Sequence, residues 1–369
     1  MKKNLLFIMA VTAVFAACSN GDDFDGKEGG NVTPVTPVEK SDVEVVFGTA
    51  TTAKVVQSQT RAALGDSWNN EQIAIWGVDR AAGAAWNTVA AHLFGQTSPV
   101  TATVAAKGGV TFNDGPYYYP MSSNISYSFY SCYPVPANNR VSANPTSITC
   151  SYIITGKEDI MWGKAEGRDT TLLSTGSTYS GFNAMYFRKV ENAPVPNLQF
   201  QHCLTRLNFK ALTGTGFGET TPVAIKNIKV LNVPTGVSLA VAGDGAGALT
   251  TTGLTGDMSL YNGDTAIGSN LIIPVTSADK KDATSLGTVL LMPSETGSYN
   301  LSVTLVGVDG EGNAITKDIT GPVTITSKDG FKAGTQYNVI LTAYGLQIVK
   351  VEATMGVWGT GDDITQEIN

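Results

Sequence analysis

The side chains best suited to chemistry are few and scattered. Ser277, Ala278, Asp279 and Lys280 spell S-x-x-K, the pattern in which a lysine activates a serine for acyl transfer. The companion motifs S-D-N and K-T-G are missing, and the stretch is a polar loop without an apolar helical face, so the match reads as coincidence. The histidines are two, His92 and His202, far apart in sequence. No G-x-S-x-G offers either of them a nucleophile. His202 stands on an alternating strand, as a packed or surface histidine does. Asp309, Glu311 and Asn313 have ligand-like spacing. A calcium loop of the EF type needs Gly at its sixth place and Glu at its twelfth. Ala314 and Thr320 stand there, so this stretch reads as a hairpin turn. Of four cysteines, Cys132, Cys150 and Cys203 lie in the body of the chain. An odd set allows at most one disulfide. Cys132 and Cys203 fall in alternating strands as small buried hydrophobes, and no bridge is predicted. No catalytic residue, metal ligand or cofactor is assigned, and the chain reads as a non-enzyme.

Composition agrees. The 369 residues carry a formal charge of -7, only 15% charged side chains and 42% hydrophobic ones. No long basic run is present, so nucleic acid is excluded as a partner. With 40 glycines and 15 prolines, the chain suits a fold with many turns.

The first residues read as an address. Lys2 and Lys3 precede the apolar run Leu5–Ala17, which is too short for a bilayer span of ~20 residues. Its length suits a secretory signal over residues 1–17. Phe15-Ala16-Ala17-Cys18 resembles a bacterial lipobox, which implies that the Cys18 thiol is lipidated and becomes the new amino terminus. Residues 18–42 follow as a polar, acidic tether with Asp22, Asp23, Asp25 and Glu28, unable to bury enough apolar surface to fold.

The remainder reads as strands: short β-branched or aromatic runs bounded by Gly, Asn, Asp and Pro. Val43–Phe47 is the first; Gln72–Trp76, Ile125–Tyr133, Leu198–Phe209 and Gln336–Thr342 are among the others. Alternation predicts one buried and one wet face per strand. Ala81–His92 is Ala-rich and allows a helical excursion, which Gly83 weakens. Glu191–Pro196, with Pro194 and Pro196, predicts a boundary between domains over residues 43–196 and 197–369.

An ordered set of landmarks covers this body. Phe47-Gly48 is followed by Thr60-Arg61-Ala62, Trp68, and Tyr118-Tyr119-Pro120. Then come Asp159-Ile160-Met161, Phe200-Gln201-His202 with Leu204 and Arg206-Leu207, Gly334-Thr335-Gln336-Tyr337, and Trp358. With the lipobox, this order resembles the fimbrillin-like (Mfa-like) proteins of Bacteroidetes, pilins of type V pili and their relatives. The resemblance implies an all-β fold of two tandem transthyretin-like Greek-key β-sandwich domains. It implies a lipoprotein carried to the outer membrane and cell surface, where an arginine-specific protease removes an amino-terminal piece.

The residues fit that chemistry. Val43, Val45 and Phe47 alternate with Glu44 and Val46, so this segment can occupy a groove in the precursor. Cleavage between Arg61 and Ala62 would detach anchor and first strand together, leaving a groove for a strand of another subunit. Expected partners are other pilin subunits, the outer membrane through the lipid on Cys18, the protease, and a host or bacterial surface receptor. The donor strand is either the tail with Ile364 and Ile368 or the Leu346–Trp358 region. The alternative is a surface lipoprotein that binds glycans or host ligands without polymerising. Tyr117–Tyr119 offers either a carbohydrate platform or ordinary core packing.

Overall fold

The strand Glu71–Asp79 is buried along six consecutive positions rather than at every second one. Its even-numbered residues Ala74, Trp76 and Val78 enter one hydrophobic core. Its odd-numbered residues Ile73 and Ile75 enter another. Tyr127–Tyr133 divides the same way, with Tyr130 and Cys132 on one side and Tyr127 and Phe129 on the other. Both strands belong to a seven-stranded middle sheet. A strand covered on both faces cannot show polar alternation. The expectation of a wet face on every strand is therefore corrected for the centre of this sheet.

The computed structural model describes residues 40–48, 50–52, 68–79, 93–94, 99–121, 126–144, 146–167, 170–171, 178–179, 181–214, 223–267, 273–275, 282–308, 311, 313–344, 346 and 348–357. The chain is all-β apart from short helical turns, chiefly the helix Ala184–Lys189. The middle sheet runs in the order Ala50–Thr52, Leu198–His202, Met161–Ala165, Tyr127–Tyr133, Glu71–Asp79, Val100–Val104, Val110–Phe112.

The later half builds two further sheets. One contains Thr284–Leu291, Thr205–Thr213, Thr335–Tyr344 and Ile348–Val357 as neighbours; the other contains Thr255–Ser259, Val223–Pro234, Ser298–Val308 and Ala314–Thr326. Their inward residues, such as Leu207, Phe209, Val339, Ile228, Val303 and Ile325, meet in one core. That same core receives Trp76, Tyr130 and Trp162 from the middle sheet. Ser298–Val308 and Ala314–Thr326 pair antiparallel up to Val308↔Ala314; Asp309, in the stretch read as a turn, lies outside the described residues.

A bridging sheet joins the two halves. Ser147–Ile153, from before the expected boundary, pairs antiparallel with Gly236–Ala242, from after it, from Gly236↔Ile153 to Ala242↔Ile148 with a register shift between Ala240 and Ala242. The Trp162 indole Nε1 also donates to the Val241 carbonyl at 2.8 Å. Glu191–Pro196 is irregular backbone, but core and sheet cross it. The first strand begins at Lys40, inside the stretch read as tether, because Lys40–Glu44 finds a backbone partner in Tyr118–Pro120.

Candidate functional site

The segment from Lys40 to Thr52 is held at sheet edges. Lys40–Glu44 lies antiparallel to Tyr118–Pro120, with Lys40 opposite Pro120 and Glu44 opposite Tyr118. Beyond that strand the Val45 N–H donates to the Tyr117 carbonyl at 2.8 Å, and the Gly48 N–H donates to the Pro196 carbonyl at 3.1 Å. A Cβ at Gly48 would meet Asn197 Oδ1 and Val195 Cγ2, so a larger residue there requires those side chains to shift. Ala50–Thr52 then runs parallel to Leu198–Phe200 on the outer edge of the middle sheet.

Side chains of this segment alternate. Ser41, Val45 and Phe47 are buried and Val43 is half-buried, while Asp42, Glu44 and Val46 are exposed. A strand with period two, set between a core and water, produces this pattern. Val43, Val45 and Phe47 thus face one core, as the sequence predicts. Phe47 meets Phe129 edge-on with ring centroids 4.9 Å apart, and Phe112 at 5.7 Å. Phe94 joins the same aromatic cluster, with its ring 4.9 Å from Tyr117. Tyr117–Tyr119 serves this core and its edge, and Tyr119 is fully buried. Trp68 lies deeper, with its ring 5.0 Å from Phe200 and 6.1 Å from Tyr133.

A polar latch crosses the segment. Asn183 caps the helix Ala184–Lys189 by accepting from the Tyr186 N–H at 2.8 Å. The cap places Arg188 against Asp42, with which it forms an ion pair. Met121 Sδ stands 3.8 Å from the same guanidinium. The Arg188 hydrogen bond, and then its charge, hold the Asp42 carboxyl below its ordinary value of 3.8. A carboxyl depressed in the folded state stabilises it above the ordinary value and loses that effect as pH falls. Below pH 3.8, amide exchange of Lys40–Val45, corrected for intrinsic rates, is therefore expected to rise relative to Glu71–Asp79. Arg188→Gln is expected to abolish that difference. An unchanged pH response in the variant would show that the latch does not hold the strand.

The other landmarks converge on the joint between the halves. Met161 pairs with His202, and the Cys203 N–H donates to the Ile160 carbonyl at 2.8 Å. His202 Nδ1 and Asp159 Oδ2 are 2.8 Å apart, with side-chain exposures of only 3% and 2%. Arg206 is buried nearby; desolvation lowers its pKa while the Asp159 charge raises it. Arg206 also pairs with Gln336 across parallel strands, and the Gly334 N–H donates to the Leu204 carbonyl at 2.9 Å. The histidine is thus part of a buried polar clamp. Cys132, Cys150 and Cys203 are free and buried. Among the described residues no group of three His, Cys, Asp or Glu side chains is placed to hold a metal ion.

Cys18, Arg61, Ala62, His92, Ser277–Lys280, Asp309, Trp358 and the tail with Ile364 and Ile368 lie outside the described residues. The sequence reading missed the Asp42–Arg188 latch and the edge strand Ala50–Thr52. The capping pattern at Asn183 was the available signal for the first, and the β-branched Thr51-Thr52 pair for the second.

Comparison with known proteins supplies the context. A Bacteroides vulgatus fimbrial protein of known structure shares the fold at a TM-score of 0.50, with 15% identity over 84% of this chain and 99% of its own. A Bacteroides uniformis structure provisionally assigned to cell adhesion aligns at a TM-score of 0.45 and 17% identity, over 87% of this chain and 100% of its own. No curated protein matches the chain. The fimbrillin-like family model matches residues 60–358, most of the sequence. This chain belongs to the fimbrillin-like family.

Proposed function

We propose that this protein is a structural and adhesive subunit of a type V pilus, assembled by donor-strand exchange after loss of its first strand. Family membership makes it a fimbrial or adhesion-type protein of the cell surface, associated with other pilin subunits. The finer reading has four steps. Cys18 is lipidated and anchors the precursor to the outer membrane. Multiple acyl chains make such an anchor stable. An arginine-specific protease cuts between Arg61 and Ala62. The tandem sandwich units 43–196 and 197–369, joined by the bridging sheet, then lack the segment ending at Arg61. An extended strand from a neighbouring subunit takes its place.

The observation that carries this reading is the geometry of the first strand. Lys40–Glu44 pairs at an edge, while Val45 and Phe47 just beyond it plug an aromatic core. Removal of this segment would uncover the apolar slot and the unpaired backbone of Tyr117–Pro120 and Leu198–Phe200. An uncovered edge beside an apolar slot recruits a strand. Trp68, past the cleavage point, would keep its place in the core.

The test is direct. Precursor treated with arginine-specific protease is expected to begin at Ala62 by amino-terminal sequencing. It is then expected to form polymers that persist in mild denaturant. A trimmed chain that stays monomeric at high concentration, alone or mixed with sister subunits, refutes strand exchange. Assembled material that keeps a lipidated Cys18 identifies an anchor subunit instead of a stalk or tip.

A further inference from the structure

The body grips its first strand at two points, one ionic and one aromatic. Both are built from residues that follow Arg61 in the chain. The ionic point is Arg188, near the end of the helix Ala184–Lys189. Its guanidinium meets the Asp42 carboxylate at the exposed rim of the segment, where Asp42 is 83% exposed. Met121 Sδ, 3.8 Å from the guanidinium, offers it no rival charge. Lys189 follows Arg188 in the last turn of the helix, so this rim is basic. The aromatic point is a box around Phe47, which is itself buried. Phe129 and Phe112 present their rings edge-on to it, with centroids at 4.9 Å and 5.7 Å. Phe94 and Tyr117 extend the box, with rings 5.7 Å and 4.9 Å from that of Phe112.

Spacing links the two points. Side chains of an extended segment alternate, so residues separated by an odd number face opposite ways. Asp42 accordingly turns outward to the helix, and Phe47 turns into the core. Another strand lying here in the same direction meets both points only with an acid and, at the distance from Asp42 to Phe47, an aromatic ring.

We propose that the body selects the strand that replaces its first one at these two points. The occupant is an extended strand of another pilin subunit, running in the direction of Lys40–Glu44 and carrying an acid and an aromatic residue spaced as Asp42 and Phe47 are. This inference rests on the strand-exchange reading and makes Arg188, Phe112 and Phe129 its specificity residues. Backbone pairing admits any extended segment, and the contacts of side chains supply the choice. A ring meeting two other ring edges gains more than its buried area provides. The guanidinium discriminates chiefly by rejection, since a basic residue opposite it brings two cations together.

The experiment uses the full chain carrying Cys18→Ser, cut at Arg61 by an arginine-specific protease and freed of its amino-terminal piece. The probes are fluorescent peptides of residues 38–52. The wild-type peptide is expected to bind. The Phe47→Leu peptide is expected to bind roughly threefold to tenfold more weakly, the worth of the aromatic contacts. The Asp42→Lys peptide is expected to bind on the order of fivefold more weakly. With Arg188→Glu in the protein, the second preference is expected to reverse, so that the Asp42→Lys peptide binds more tightly than the wild-type one. A merely structural role for Arg188 cannot produce that reversal. Equal binding of all three peptides overturns the selection and leaves strand exchange standing. No binding by any peptide, the wild-type sequence included, overturns strand exchange and the selection with it. Where the cut chain does not stay folded, the uncut chain decides. There Asp42→Lys and Arg188→Glu are each expected to raise amide exchange of residues 40–48 several-fold, and the two together to restore it. Equal exchange in all four proteins overturns the proposal.

Discussion

Asp159→Ala is expected to lower the free energy of unfolding by about 3–5 kcal/mol, because it leaves the buried His202 contact unmade and takes the carboxylate away from the buried Arg206 charge. Asp159 and His202 side chains are 2% and 3% exposed, and their polar atoms approach to 2.8 Å. Water cannot replace the lost carboxylate at such a depth. The same carboxylate supports the buried Arg206 guanidinium, which would keep its desolvation while losing its favourable field. Asp159→Asn retains an acceptor for His202 and removes only the charge, so a smaller loss of about 1–3 kcal/mol is expected. Urea unfolding at constant m-value reads both variants. Equal losses would show that the carboxylate charge accounts for the whole effect and that its shape and acceptor oxygen contribute nothing. A negligible loss for alanine would remove the clamp from the account of how the halves are joined.

The sequence exposes one part of this architecture and hides another. Alternation is a local property, so Val43, Val45 and Phe47 could be assigned to one face from five letters. The same holds for Leu198–His202, where every second residue is buried. Glu71–Asp79 defeats that logic because cores lie on both of its faces. Partner choice is also hidden. Nothing near Ala50–Thr52 announces a parallel edge beside Leu198–Phe200, because that pairing spans most of the earlier half of the chain. The bridging sheet is silent for the same reason: Ser147–Ile153 and Gly236–Ala242 look like ordinary local strands until they meet. Asp159, His202 and Arg206 were visible as landmarks. Their convergence into one clamp depends on registers such as Met161↔His202 that no spacing rule encodes.

Phe47→Ala distinguishes a replaceable strand from an integral one. Deleting a buried phenylalanine ring costs about 3–5 kcal/mol when the site stays closed. Phe47 and Phe129 lie on opposite sides of one contact, with centroids 4.9 Å apart. Their strands differ in attachment. Phe129 sits on Tyr127–Tyr133, paired on both sides by Met161–Ala165 and Glu71–Asp79. Phe47 belongs to a segment held by short edge pairings and the Arg188 latch. A segment that can leave by itself limits the global penalty, because the chain releases it before the body unfolds. Phe47→Ala is therefore expected to raise hydrogen exchange across residues 40–48 by on the order of 100-fold. Global unfolding should then shift by less than in Phe129→Ala, which should lower stability by about 3–5 kcal/mol with no selective opening of the first strand. Rapid cutting by an arginine-specific protease should accompany the first variant and not the second. Equal global losses, with exchange of residues 40–48 tracking the whole body, would make the first strand an inseparable part of the fold. A neighbouring subunit would then have no slot to enter, and subunits would have to join through some other surface.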